Sequence, residues 1–112
     1  MKLFVFFYVV VTATIYHATP QQCNEDYLRT ASMQAINPKA PGKHRWIAVS
    51  RDLEQKGFTF GKKVLVIGAG ELSGIWTIED RMNKRFTNRI DFLVNKKIKN
   101  GKWENIKIKL LN

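Results

Sequence analysis

Short runs of apolar, β-type residues recur along this chain, two of them alternating with polar residues at a period of two, a pattern that predicts strands rather than helices. GKKVLVIG (61–68) and GIWTIED (74–80) are β-type runs separated by a glycine-rich tip. In FTNRIDFLV (86–94), Ile90, Phe92 and Val94 alternate with Arg89, Asp91 and Leu93. WENIKIKLL (103–111) sets Trp103, Asn105, Lys107 and Lys109 on one face against Glu104, Ile106, Ile108 and Leu110 on the other. RWIAVS (45–50) suits a buried strand, and VTATIY (11–16) another. TASMQAI (30–36) reads as a short strand or turn, and NKKIKNGKW (95–103) holds a turn at Asn100-Gly101.

One helix start stands out. In SRDLEQKG (50–57), Ser50 is placed to cap a short helix, Asp52 and Glu54 favour its positive end, and Gly57 suits a left-handed stop. TPQQCNEDYLRT and INPKAPGKHR, rich in turn formers, read as long loops. Six or seven short strands with one short helix favour a closed barrel, which leaves no sheet edge unprotected.

VLVIGAGELSG (64–74) resembles a dinucleotide loop in composition only. Such a loop must lead into a helix whose N-terminus faces the pyrophosphate. Here Gly74 interrupts the first turn, and Ile75, Trp76, Thr77 and Ile78 are a β-type cluster. The glycines therefore suit a hairpin tip, and no nucleotide cofactor is expected.

A length of 112 residues predicts one domain. We set residues 11–112 as the barrel and residues 1–10 as an apolar N-terminal segment. Met1 and Lys2 followed by LFVFFYVVV fit a short export signal, with Val11-Thr12-Ala13 as a tolerable cleavage site, and they also suit a strand extension. Cys23 is the only cysteine, so no intrachain disulfide forms and no metal site built on several cysteines exists. The formal net charge of +10 predicts attraction to polyanions. The lysines at 96, 97, 99, 102, 107 and 109 lack a base-reading motif, so nucleic acid is disfavoured as the partner.

The chemistry concentrates in EDRMNKRFTNRIDFLV (79–94), where Asp80 closes one strand and Asp91 lies inside the next. Two carboxylates brought together from neighbouring strands suit acid and base work on glycosides. Arg81, Lys84, Arg85 and Arg89 oppose a raised aspartate pKa if they clamp it, and favour an anionic substrate if they point outward. Trp46, Trp76 and Trp103 read as core residues before they read as a sugar platform.

Asp80 and Asp91 as D(x10)D ending in R-I-D, with TATIY, TAS at 30–32, and IAVSRDL followed by FGKKVLV, resemble the double-psi β-barrel domains of the rare lipoprotein A and three-aspartate type. That group includes the barrel of membrane-bound lytic transglycosylase A and is related to expansins. The resemblance spans roughly residues 11 to 110. Ser50 stands where the first aspartate of the pattern would be, DRMNKRFTNRID replaces a glycine-rich connection, and Met33 stands where many relatives have glycine.

The resemblance implies a mostly β, six-stranded double-psi barrel, monomeric, secreted or facing the cell envelope, of bacterial or phage origin. Its implied activity is lytic transglycosylase-like cleavage between N-acetylmuramic acid and N-acetylglucosamine, without cofactor or metal. Asp91 is then the catalytic acid and Asp80 its partner, while Tyr16, Thr30, Ser32, Asn83, Arg85 and Asn88 contact peptidoglycan or another anionic polysaccharide. The alternative is an expansin-like barrel that binds without cleaving, which the loss of the first aspartate to Ser50 favours.

Overall fold

The computed structural model describes residues 8–20 and 26–111. Cys23 and most of the N-terminal segment lie outside them. Six strands, β1 (Val9–Tyr16), β2 (Trp46–Val49), β3 (Lys63–Ile67), β4 (Gly74–Arg81), β5 (Arg89–Leu93) and β6 (Lys102–Leu111), form a closed barrel in the order β1-β5-β2-β4-β3-β6. One short helix, α1 (Arg51–Gln55), and two 3-10 turns complete the regular structure, so the protein is mostly β as expected.

β1 runs parallel to β5 and β2 parallel to β4, while the other four neighbours are antiparallel. Exchanging β1, β2 and β3 for β4, β5 and β6 leaves this order and every direction unchanged. The barrel is thus two equivalent three-strand halves that interlock, each crossing over the other rather than pairing with itself.

Alternation along each strand fills the interior. Val11, Ala13, Ile47, Val49, Val64, Val66, Trp76, Ile78, Ile90, Phe92, Ile106 and Ile108 are all buried in one core cluster. Trp76 and Trp103 flank Phe92 at ring-centroid distances of 4.7 and 5.8 Å. Leu53 of α1 and Phe58 belong to the same cluster. The ring leaves no sheet edge, which removes the usual template for intermolecular strand pairing.

The β3–β4 connection is the hairpin tip expected of VLVIGAGELSG, with Gly68, Gly70 and Gly74 at φ of 102, 58 and 118°. A side chain at Gly74 would in addition meet the Arg45 guanidinium, 3.1 Å from the Cβ position. Thus the glycines serve backbone geometry.

Several local expectations are corrected. The alternation in the last strand breaks at Asn105, which adopts φ 58°, and the β1–β6 register shifts between Val11 and Ala13. This bulge turns Trp103 onto the core side with Ile106 and Ile108, rather than beside Lys107 and Lys109. The turn before β6 lies at 95–98, closed by the Ile98 N–H to the Asn95 carbonyl, and not at Asn100-Gly101. Gly101 is needed instead because a Cβ there would stand 2.7 Å from the Trp103 ring.

Ser50 precedes α1 but does not cap it with its side chain. Its buried Oγ accepts the Arg89 N–H at 3.0 Å, tying the start of α1 to β5. β1 includes Val9 and Val10, which pair with Ile108 and Lys107. TASMQAI forms turns with one isolated bridge, Arg29 to Ala35.

Candidate active site

The parallel and antiparallel registers converge on a single row. Thr14 of β1 pairs with Asp91 of β5, Asp91 with Ala48 of β2, and Ala48 with Asp80 of β4. The two aspartates are therefore two strands apart, roughly 10 Å between Cα atoms, with only an alanine methyl between them. Both belong to the outer surface of the barrel wall. Asp80 reaches it through a second irregularity: Ile47 pairs with Ile78 but Ala48 with Asp80, so Glu79 is skipped. Strict alternation from Trp76 and Ile78 would have turned Asp80 inward.

Asp91, Ala48 and Asp80 of this row line a cavity of about 850 Å³. Its walls are the loop between β1 and β2, which contributes Tyr27, Thr30, Met33 and Ile36, and the β4–β5 loop, which contributes Met82, Asn83, Arg85 and Phe86. Tyr16 at the end of β1 and Arg51 at the start of α1 also line it.

Asp80 is the structural hub. Its Oδ2 accepts the Tyr16 hydroxyl at 3.0 Å, and its Oδ1 accepts the backbone N–H groups of Ala31 and Arg81 at 3.0 and 2.9 Å. One carboxylate thus holds the tip of the β1–β2 loop against β4. The Ser32 N–H to Glu79 carbonyl bond supports the same contact.

Asp91 is the chemically distinctive group. Burial pushes its carboxyl up to about 6, and the negative charge of Asp80 acts in the same direction. A hydrogen bond from Thr14 Oγ1 at 2.5 Å and the charge of Arg89 pull the other way without cancelling the rise. No ion pair clamps either aspartate among the described residues. Arg81 is instead held by Glu54 at 2.6 Å, and Arg85 and Arg89 lie over the Phe86 ring at 4.7 and 5.0 Å. Arg81 and Arg85 are thus engaged elsewhere, while the charge of Arg89 still bears on Asp91, which faces the cavity and holds its proton up to about 6.

Tyr16, Thr30, Asp80, Asn83, Arg85 and Asp91 are all brought to this cavity. Their freedom differs. Thr30 is buried and its Oγ1 accepts the Gln34 N–H, so it organises the loop. Ser32 sits behind it, 2.9 Å from Thr30 Oγ1, and is not part of the lining. Asn83 Oδ1 accepts the Arg85 N–H in a turn. Asn88 lies away from the cavity at φ 53°, with its side-chain amide donating to the Val10 carbonyl and its N–H bound by Asp52. Its role is to lock the entry to β5, a place where asparagine tolerates the left-handed region.

Thr14, Ala48 and Arg51 were not singled out by sequence. Thr14 carries a signal in the TAT spacing, which puts it on the same face as Thr12 and Tyr16, but only the parallel β1–β5 register brings it to Asp91. Trp46 is not a platform in the cavity, since its ring stacks on His44 at 3.9 Å beside the start of β2. Trp76 is fully buried. Among the described residues, no group of three or more potential metal ligands occurs. No protein-family model, curated protein or solved structure matches the chain.

Proposed function

We propose that the protein is a peptidoglycan-active barrel of the double-psi, rare lipoprotein A type, which cleaves glycan strands as a lytic transglycosylase does. The observation that carries this reading is Asp91: a half-buried carboxyl on a cavity floor, pushed up to about 6 and free of any ion pair among the described residues. The two-fold exchange of strand order between the barrel halves is in keeping with a double-psi topology.

In the proposed reaction, protonated Asp91 gives its proton to the glycosidic oxygen as the bond to the muramic acid anomeric carbon breaks. The resulting carboxylate then takes the proton of the muramic acid 6-hydroxyl as that oxygen closes onto the same carbon. Asp91 ends protonated, water is not consumed, and an anhydro sugar is released. Thr14 fixes the Asp91 rotamer, and Asp80 contributes repulsion that keeps the acid form available. The narrow alanine at position 48 leaves room above the floor for a sugar ring. Arg51 and Arg85 in the cavity lining suit the anionic groups of the polymer, while Arg29 is paired there with Asp26 at 3.3 Å.

Incubation with purified sacculi tests the reading. Wild type should release anhydromuropeptides, with activity falling above about pH 6, and Asp91→Asn should abolish release while retaining the fold. A second reading, binding without cleavage in the manner of expansins, is favoured by the short Thr14 bond, which stabilises the carboxylate form, and by Ser50 in the place of the first aspartate. Sedimentation with sacculi and no soluble product from wild type would select it.

A further inference from the structure

The opposite side of the barrel wall carries a second surface that the glycan reading does not use. Two register rows cross it. Val10, Lys107 and Ile67 are consecutive neighbours on β1, β6 and β3, and Lys109, Leu65 and Ile75 are neighbours on β6, β3 and β4. Tyr8 extends the second row, since the Lys109 ammonium lies 5.9 Å from its ring centroid. Lys63, paired with Leu111, stands in the row beyond.

Tyr8, Val10, Ile67 and Ile75 are between 40 and 52% exposed. Among the described residues the only other exposed large apolar side chain is Met33, on the cavity loop. Four such side chains gathered on one sheet face exceed the scatter of single apolar residues that any surface carries. No carboxylate stands in either row. In sequence, Glu71 on the β3–β4 tip is the nearest acidic position to Ile67, and Glu71 and Glu79 are equally near to Ile75.

We propose that this face seats the protein on an anionic lipid bilayer. Branched aliphatic and aromatic side chains separated by lysines fit the headgroup boundary: the apolar ends enter it, while the ammonium groups reach lipid phosphates along flexible stems. The excess of +10 in formal charge supplies the long-range attraction. The row of Thr14, Asp91, Ala48 and Asp80 crosses β5 and β2, across the ring from β6 and β3. A barrel seated by the lysine face therefore turns its cavity away from the bilayer, toward a polymer layer above it.

The test is sedimentation of the full chain with vesicles of phosphatidylcholine alone or mixed equally with phosphatidylglycerol. Wild type should bind the mixed vesicles at least about tenfold more tightly and lose that preference in high salt. Ile67→Ser/Ile75→Ser and Lys107→Glu/Lys109→Glu should each weaken binding by about tenfold or more. Both should keep the wild-type near-ultraviolet spectrum and wild-type behaviour on sacculi, which separates this outcome from failure of the glycan reading. Absence of binding to mixed vesicles overturns the proposal. So does wild-type binding by both folded variants, or a dimer in solution that the same substitutions dissolve without any lipid dependence.

Discussion

Replacing Asp91 by asparagine should make the protein more stable at pH 8 while removing the proposed acid. The folded carboxyl holds its proton up to about 6, whereas in the unfolded chain it titrates near its ordinary value of 3.8. Below 3.8 both states are protonated and Asp91 costs the fold nothing. Between 3.8 and 6 the unfolded chain releases its proton first, and stability falls as pH rises. Above 6 both are ionised and the full penalty persists. A displacement of that size corresponds to at most about 3 kcal/mol, and the residual exposure to the cavity reduces it. Asparagine keeps an acceptor for the Thr14 hydroxyl and carries no charge at any pH, and its amide faces the open cavity where water can accept from it. The difference between the two proteins isolates this one group, because other carboxyls cancel. Asp52 is one of these: burial raises it, but hydrogen bonds from Ser50 and the Asn88 N–H outweigh burial and hold it below the usual range. Urea unfolding of both proteins from pH 4 to pH 8 should show near equality at pH 4. It should also show a gap of about 2 to 3 kcal/mol in favour of asparagine at pH 8, on the order of 10 °C in Tm. A gap that does not change with pH, or an asparagine variant less stable at pH 8, would refute the assigned burial of Asp91.

Three further substitutions probe the framework around it. Asp80→Ala removes the acceptor for Tyr16, Ala31 and Arg81 and should cost about 2 to 3 kcal/mol, with faster amide hydrogen exchange at Ala31. Loss of its charge should also lower the Asp91 pKa, moving the alkaline limb of any glycan cleavage to lower pH. Met33→Gly should raise stability by about 0.5 to 1 kcal/mol in thermal unfolding, because Met33 is held at φ 73° with its side chain largely in solvent. Gly101→Ala should lower Tm by several degrees, since the new methyl falls within 3 Å of the Trp103 ring and either the ring or the strand must move.

β-type apolar runs, two of them alternating with period two, were enough to locate all six strands and the hairpin tip, because a strand writes its buried positions directly into the chain. They also excluded a nucleotide loop, since backbone chemistry after Gly70 is a local property. That Asp80 and Asp91 share one site could be suspected from R-I-D and the spacing of ten, though the reading put them on neighbouring strands and β2 lies between them; Met33 could be noticed as a residue where glycine is usual, and its φ of 73° gives that oddity a backbone meaning. Other features were out of reach because they depend on which strand lies beside which. Alternation misassigned Trp103, and would have turned Asp80 into the core, because bulges at Asn105 and Glu79 shift parity by one residue and carry no apolar signature.

Ser50 shows the same limit from the other side, for a residue with every local mark of a helix cap spends its hydroxyl on Arg89, a neighbour supplied by a strand 39 positions away. The residue types able to hold and move a proton were thus present in the linear pattern. What placed Thr14, Asp91, Ala48 and Asp80 in one row, and gathered Tyr8, Val10, Ile67 and Ile75 on another face, was ring closure with two parallel crossovers. Register between distant strands is set by the energy of the whole packed barrel, and no window of consecutive residues contains it.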